Sequence, residues 1–397
     1  MKSKTKYTIL LISSVLVVYA IIGGMMGRVS AQGPYQQISI FMEVIQRIQN
    51  DYVDDPTMAD AFDGAIRGMV ERVDPYGGYL SPDVAGFYRD FDPQKAAGIG
   101  VTLTKEFDYP MIVSAIPGGP AAIEGFGTGD TIEAIDGVSL REHNLIEVNR
   151  LLAGTTGSDV ALSVIRRRQA APEVVTLKRA VVQAPPVEAR MLEDGVGYIR
   201  IPVLAPGKAL ETKRHLEALT GQGATHFVLD LRNSAGGTQQ EAIEVANLFI
   251  GSGTLGYLEG QTVPRETFTA KASAAISELP LAVLINQGTA NAAEITAAAI
   301  ADNDRGELVG LKTFGIGSVQ KLLPLEDGFA LLLSVAKYYT PNGVEIQEAG
   351  ITPTVEVSTT VSDPLAVPDE NTQEEDRQLD RAIEILLNPQ AAADKAA

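Results

Sequence analysis

Cysteine is absent from these 397 residues, histidine occurs three times, and the 32 basic residues are outnumbered by 50 acidic ones. Each shortage removes a class of chemistry. Without thiols there is no disulfide framework, no zinc–thiolate centre and no cysteine nucleophile. His143, His215 and His226 lack metal-ligand spacing to one another, so no metal is expected, and no cofactor motif stands out. A Ser-His-Asp triad would have to use His215 or His226, and an isolated histidine more often does structural work. The formal net charge of −18 repels phosphate backbones, which argues against nucleic acid as a partner. About a third of that excess lies between Ser358 and Ala397, where nine acidic residues face three basic ones. That stretch reads as a solvated tail.

Apolar residues make up 45% and charged residues 21%, the profile of a folded chain long enough for two or three domains. Lys2, Lys4 and Lys6 precede an apolar run from Tyr7 to Gly27, closed by Arg28. At 1.5 Å per residue this run spans about 31 Å, close to the hydrocarbon thickness of a bilayer. Val29-Ser30-Ala31 offers small residues suited to signal-peptidase cleavage. The run exceeds an ordinary signal h-region, so residues 1–31 are read as a retained anchor in preference to a cleaved signal peptide. Either way the basic flank stays cytoplasmic and the remainder is exported to the cell envelope.

Beyond a Gly-Pro linker, Ile38, Phe41, Val44, Ile45, Ile48 and Tyr52 recur at helical spacing, and a second helix is expected over Met58 to Val73. It ends at the breaker Asp74-Pro75-Tyr76-Gly77-Gly78, so residues 35–94 read as a small helical subdomain. Residues 95–180 change to short β-rich runs around an Asp136-Gly137 turn, with a helix over Leu145 to Leu152. Past Ala184-Pro185-Pro186, residues 181–360 alternate strands such as His226–Leu231 and Leu281–Ile285 with helices. That alternation argues for an α/β core with a largely parallel sheet. Residues 361–397 form the acidic tail with a short helix from Asp376 to Leu387.

The chemistry-bearing residues are expected on loops at the carboxyl ends of the parallel strands, where open α/β sheets place their sites. One loop is Leu229-Asp230-Leu231-Arg232-Asn233-Ser234-Ala235-Gly236-Gly237. The next is Asn286-Gln287-Gly288-Thr289-Ala290-Asn291-Ala292-Ala293-Glu294, leading into a helix. Another is Thr313-Phe314-Gly315-Ile316-Gly317-Ser318-Val319-Gln320. Each alone is equally well a tight turn that needs glycine.

In this order, and with Tyr339-Thr340-Pro341-Asn342-Gly343 and Gly350-Ile351-Thr352-Pro353 downstream, these segments resemble the carboxyl-terminal processing (tail-specific) serine peptidases that carry a PDZ domain. The resemblance covers nearly the whole chain. It implies a ClpP/crotonase-like α/β core with an inserted β-rich PDZ domain and an N-terminal helical subdomain. Family members use a serine nucleophile, a lysine general base and a glutamine that orients the lysine. The matching positions here are Asn291, Ile316 and Gln320, so only the orienting residue is retained. An asparagine amide offers no deprotonatable oxygen, and an isoleucine accepts no proton; such losses leave binding and oxyanion stabilisation. The oxyanion hole is carried over to Gly236 or Gly237 and Ala292. The peptide-carboxylate loop of the PDZ domain corresponds to Gly98, Ile99, Gly100 and Val101. Arg166-Arg167-Arg168 reads as a solvated hairpin tip.

The expected function is that of a catalytically impaired relative, exported and membrane-anchored, which binds protein C-termini or extended peptides as an adaptor or regulator of proteolysis. An active peptidase or a second copy of the chain is a further expected partner. One alternative is an active endopeptidase using relocated groups, for which Thr289, Ser318 and Lys312 are the candidates. Another is a structural scaffold that binds no peptide.

Overall fold

The computed structural model describes residues 34–92, 95–167, 169, 171–358 and 376–388. The expected anchor, Arg168 and most of the acidic tail lie outside the described residues, and among those described no helix is long and apolar enough to cross a membrane. The chain divides into two units, Met1–Met69 and Val70–Ala397. The described part of the first holds the helix Pro34–Asp51 and most of the helix Met58–Val73. Ion pairs one turn apart, Arg47 with Asp51 and Arg67 with Asp63, support these helices.

In the second unit, six strands form the central sheet in the order Glu188–Met191, Val196–Arg200, His226–Asp230, Leu281–Ile285, Glu307–Gly310 and Val355–Glu356. All neighbouring pairs are parallel except the first. Parallel strands are covered on both faces, which is why Leu281–Ile285 is apolar and buried at every position. One face packs against the helices Lys208–Gly221, Gln239–Phe249 and Ala292–Asp302. The other is covered by the helix Arg377–Leu387 through Ala382, Ile385 and Leu386. Beside this sheet lies a five-stranded antiparallel one. Its strand Gly78–Leu80, inside the segment read as a helical subdomain, pairs with Ala330–Leu332.

The β-rich module is a separate antiparallel sheet in the order Val101–Glu106, Tyr109–Ala115, Thr131–Ile135, Asp159–Ile165 and Glu173–Lys178, with Val138–Ser139 paired to Thr131–Ile135. Asp136 and Gly137 both have positive φ, the tight turn that the Asp-Gly pair favours. The helix Leu145–Leu152 starts on a capping box: Ile146 and Glu147 N–H groups donate to Asn144 Oδ1, and Asn144 N–H donates to Glu147 Oε2, all at 3.0 Å. Its core gathers Ile99, Ile112, Ile132, Leu140, Val148 and Leu162.

Candidate functional site

The glycine-rich loop leaves the strand His226–Asp230 through a charged knot. Asp230 is 1% exposed, accepts the Tyr198 hydroxyl at 2.7 Å and pairs with Arg232 at 2.6 Å. Arg232 also holds Asp376, just before the last helix, through two bonds of 2.7 Å. Burial disfavours the Arg232 charge, but the two carboxylates overcome it and hold the guanidinium firmly protonated. Burial likewise opposes the Asp376 charge, yet Arg232 keeps its carboxyl below the usual range. Gly236 and Gly237 then take φ of 85° and 92°, and a Cβ on Gly237 would lie 2.4 Å from the Leu204 carbonyl oxygen. Glycine is obligatory there on packing grounds alone.

The second loop is tied to the first by side chains. Asn286 Oδ1 accepts the N–H groups of Asn233 and Gly288 at 2.9 and 3.0 Å. Thr289 is fully buried; its hydroxyl donates to the Leu231 carbonyl at 2.8 Å and accepts from Asn286 N–H at 3.0 Å. Asn291 caps the helix Ala292–Asp302 with φ 56° and ψ −121°. A non-glycine residue pays about 1–3 kcal/mol for such a conformation. It is the strand–turn–helix elbow that presents a nucleophile in hydrolytic enzymes, here occupied by an asparagine. Among the described residues the N–H groups of Gly236 and Ala292 have no acceptor in the chain.

One residue without a sequence-level expectation joins the two substituted positions. Glu294 is 0% exposed; its Oε2 accepts N–H from Asn291 at 3.0 Å and from Ile316 at 2.9 Å. Its Oε1 accepts the Thr313 hydroxyl at 2.5 Å and Gly315 N–H at 2.7 Å. Burial pushes this carboxyl up to about 7, against the pull of the four donors. The only local signal was an acid three residues into a helix.

The Ile316 side chain joins Phe314 against a buried apolar cluster of Val113, Ala235 and Ala290. Val113 belongs to the β-rich module, which is seated on these loops. Ser114 Oγ donates to the Asn233 carbonyl at 2.6 Å, and Arg167 donates to Gln287 Oε1 at 2.8 Å. Arg166 pairs with Glu173 at 2.6 Å and lies over the Phe126 ring, so these two arginines have partners at a tip expected to be solvated. The Gln320 amide donates to the Tyr76 carbonyl.

The candidates for relocated chemistry are not gathered into a dyad. The Thr289 proton is committed to Leu231, Ser318 Oγ accepts from Ser334 Oγ at 3.4 Å, and Lys312 is exposed. In the β-rich module, Gly98 pairs with Ala180, Ile99 is 1% exposed, and Gly100 turns the chain at φ 76° into the terminal strand that begins at Val101. That strand has one ladder partner, Tyr109–Ala115, the arrangement to which an extended peptide adds.

Comparison with known proteins places this architecture. The family model for peptidase family S41 matches residues 195–357, and that for the PDZ domain matches residues 111–166. A carboxyl-terminal-processing protease of Synechocystis sp. is 35% identical over 338 residues, covering 83% of this chain and 78% of the relative. The carboxy-terminal processing protease CtpA of Bacillus subtilis is 31% identical over 332 residues, covering 83% and 71%. Among solved structures, a photosystem II D1 C-terminal processing protease superposes with a TM-score of 0.68 at 26% identity, over 81% of this chain and 92% of the other. With its α/β core and inserted module both matched, the chain belongs to the PDZ-containing carboxyl-terminal processing proteases of peptidase family S41.

Proposed function

We propose that this family member captures protein C-termini or extended peptides without cleaving them, and acts in the cell envelope as an adaptor or regulator of proteolysis. The observation that carries the reading is the environment of Ile316. Where the family places a lysine base, an isoleucine packs beside Phe314 on Val113, Ala235 and Ala290. Asn291 occupies the elbow opposite it, sharing the Glu294 oxygen. Loss of a nucleophile alone removes on the order of a million-fold in rate. An apolar side chain in place of the lysine also avoids the cost of a buried charge with no function. Peptide capture is supported by the PDZ match and by the Gly98–Val101 turn into a terminal strand. Envelope location and anchoring rest on the basic flank and the apolar run from Tyr7 to Gly27.

Fluorescence anisotropy with a labelled peptide ending in apolar residues tests the reading. Binding is expected with a free carboxyl terminus and lost with the terminal amide, and the peptide is recovered intact. Gly100→Val, whose new side chain would meet Val182, abolishes binding. Peptide binding indifferent to the carboxylate would refute capture at this loop. The active-enzyme alternative requires cleavage that disappears in Thr289→Val or Ser318→Ala.

A further inference from the structure

A cavity of about 370 Å³ lies at the seam between the PDZ module and the core. The module supplies an apolar wall, Pro117, Ala122, Ile123 and Phe126, and the core supplies Arg200 and Asn233. Arg200 closes the strand Val196–Arg200 and Asn233 follows its neighbour His226–Asp230, so both stand at the carboxyl ends of adjacent parallel strands. None of Gly98, Ile99, Gly100 and Val101 lines the cavity, which separates it from the peptide loop.

The polar groups of the lining are unequally engaged. Ser114 Oγ donates to the Asn233 carbonyl and Thr128 Oγ1 to the Val113 carbonyl at 2.8 Å, so both hydroxyl protons are already used. Asn233 Oδ1 accepts from Asn286, leaving its amide NH2 as a donor. Arg200 is the lining's charged residue, and its Nε is buried with no hydrogen-bond partner. Its nearest carboxylate, Glu188, stands 3.9 Å from the guanidinium, beyond hydrogen-bond reach. The Arg200 Nη groups, which donate to no acceptor among the described residues, put a cation beside an apolar wall, the chemistry that recognises a carboxylate carrying an apolar body.

We propose that this seam cavity is a second ligand site, binding an apolar carboxylate with Arg200 as its anchor and Asn233 as the auxiliary donor. The ligand bridges module and core, because its walls come from both. A peptide's last residue and a free branched-chain acid share this chemistry. The site is independent of whether the chain cleaves peptides.

Titration calorimetry on the full chain tests it with N-acetyl-leucine, its amide, N-acetyl-alanyl-leucine and 4-methylpentanoate. Saturable binding of the acid is expected, with the amide weaker by about tenfold or more. Arg200→Gln removes that preference, and Arg200→Lys retains part of it. Stronger binding of the dipeptide than of 4-methylpentanoate assigns the site to peptide termini; the reverse assigns it to free acids. Ile123 is 77% exposed, so Ile123→Asp is tolerated by the fold and serves if Arg200→Gln does not fold; it weakens both ligands through the lost apolar contact, and the acid more than the amide through charge repulsion. Equal binding of acid and amide, or no saturable binding in the millimolar range, overturns the proposal. So does an acid preference that persists in folded Arg200→Gln, which would place the carboxylate elsewhere. Loss of long-peptide binding in Gly100→Val with seam binding intact keeps the two sites distinct.

Discussion

Glu294→Gln is the change with the most to reveal about the site. The carboxyl is fully buried and serves four donors, from Asn291, Thr313, Gly315 and Ile316. Glutamine keeps the shape but has one oxygen, and its NH2 turns donors toward donors. Two of the four lose their acceptor at about 1–3 kcal/mol each, on the order of 4 kcal/mol together. Against a typical stability of roughly 5–15 kcal/mol, that lowers the melting temperature by on the order of 10 °C. The pH dependence separates this loss from generic damage. Burial raises the folded-state carboxyl from 4.5 to about 7, so folding favours the protonated form. Its contribution is complete below the unfolded value and is lost as pH rises through about 7. That interval corresponds to roughly 3 kcal/mol. Urea unfolding between about pH 5 and pH 8 therefore shows a falling stability component in the wild type that Glu294→Gln lacks. A variant that melts with the wild type and keeps its pH slope would refute the role assigned to this carboxyl.

Other perturbations give separate readouts. Arg232→Ala leaves Asp230 buried without its ion partner, costing about 3–5 kcal/mol, and frees Asp376. Hydrogen exchange should rise across Arg377–Leu387 first. Asn144→Ala removes the cap of the helix Leu145–Leu152, lowering stability in denaturant melts by about 1 kcal/mol. Val113→Asp puts a charge into the fully buried cluster beside Ala235 and Ala290. Limited proteolysis should then cut the segment 109–130 faster than in the wild type, while Val113→Ala changes it little.

Local chemistry made much of this legible from residues alone. The buried run Leu281–Ile285, the Asp136-Gly137 turn and the glycine loops at strand ends are each specified within a few neighbouring residues. What escaped is long-range. Val113 meets the loop of Ile316 across some two hundred positions, and Gln320 finds the Tyr76 carbonyl. Gly78–Leu80 is too short to announce a strand, and only its pairing with Ala330–Leu332 makes it one. Glu294 looked like an ordinary first-turn acid, because nothing local shows that Thr313 and Gly315 turn back toward it. Arg200 likewise ends an apolar strand without local sign of an unpaired Nε.

Mass spectrometry of an unfolded protein with an apolar carboxyl terminus, incubated with the full chain, tests capture without cleavage most directly. The expected spectrum holds the intact substrate, identical to that given by Asn291→Ala. Truncated products that form with the wild type and vanish with Asn291→Ala would contradict it, because the residue at the elbow would then be taking part in the chemistry.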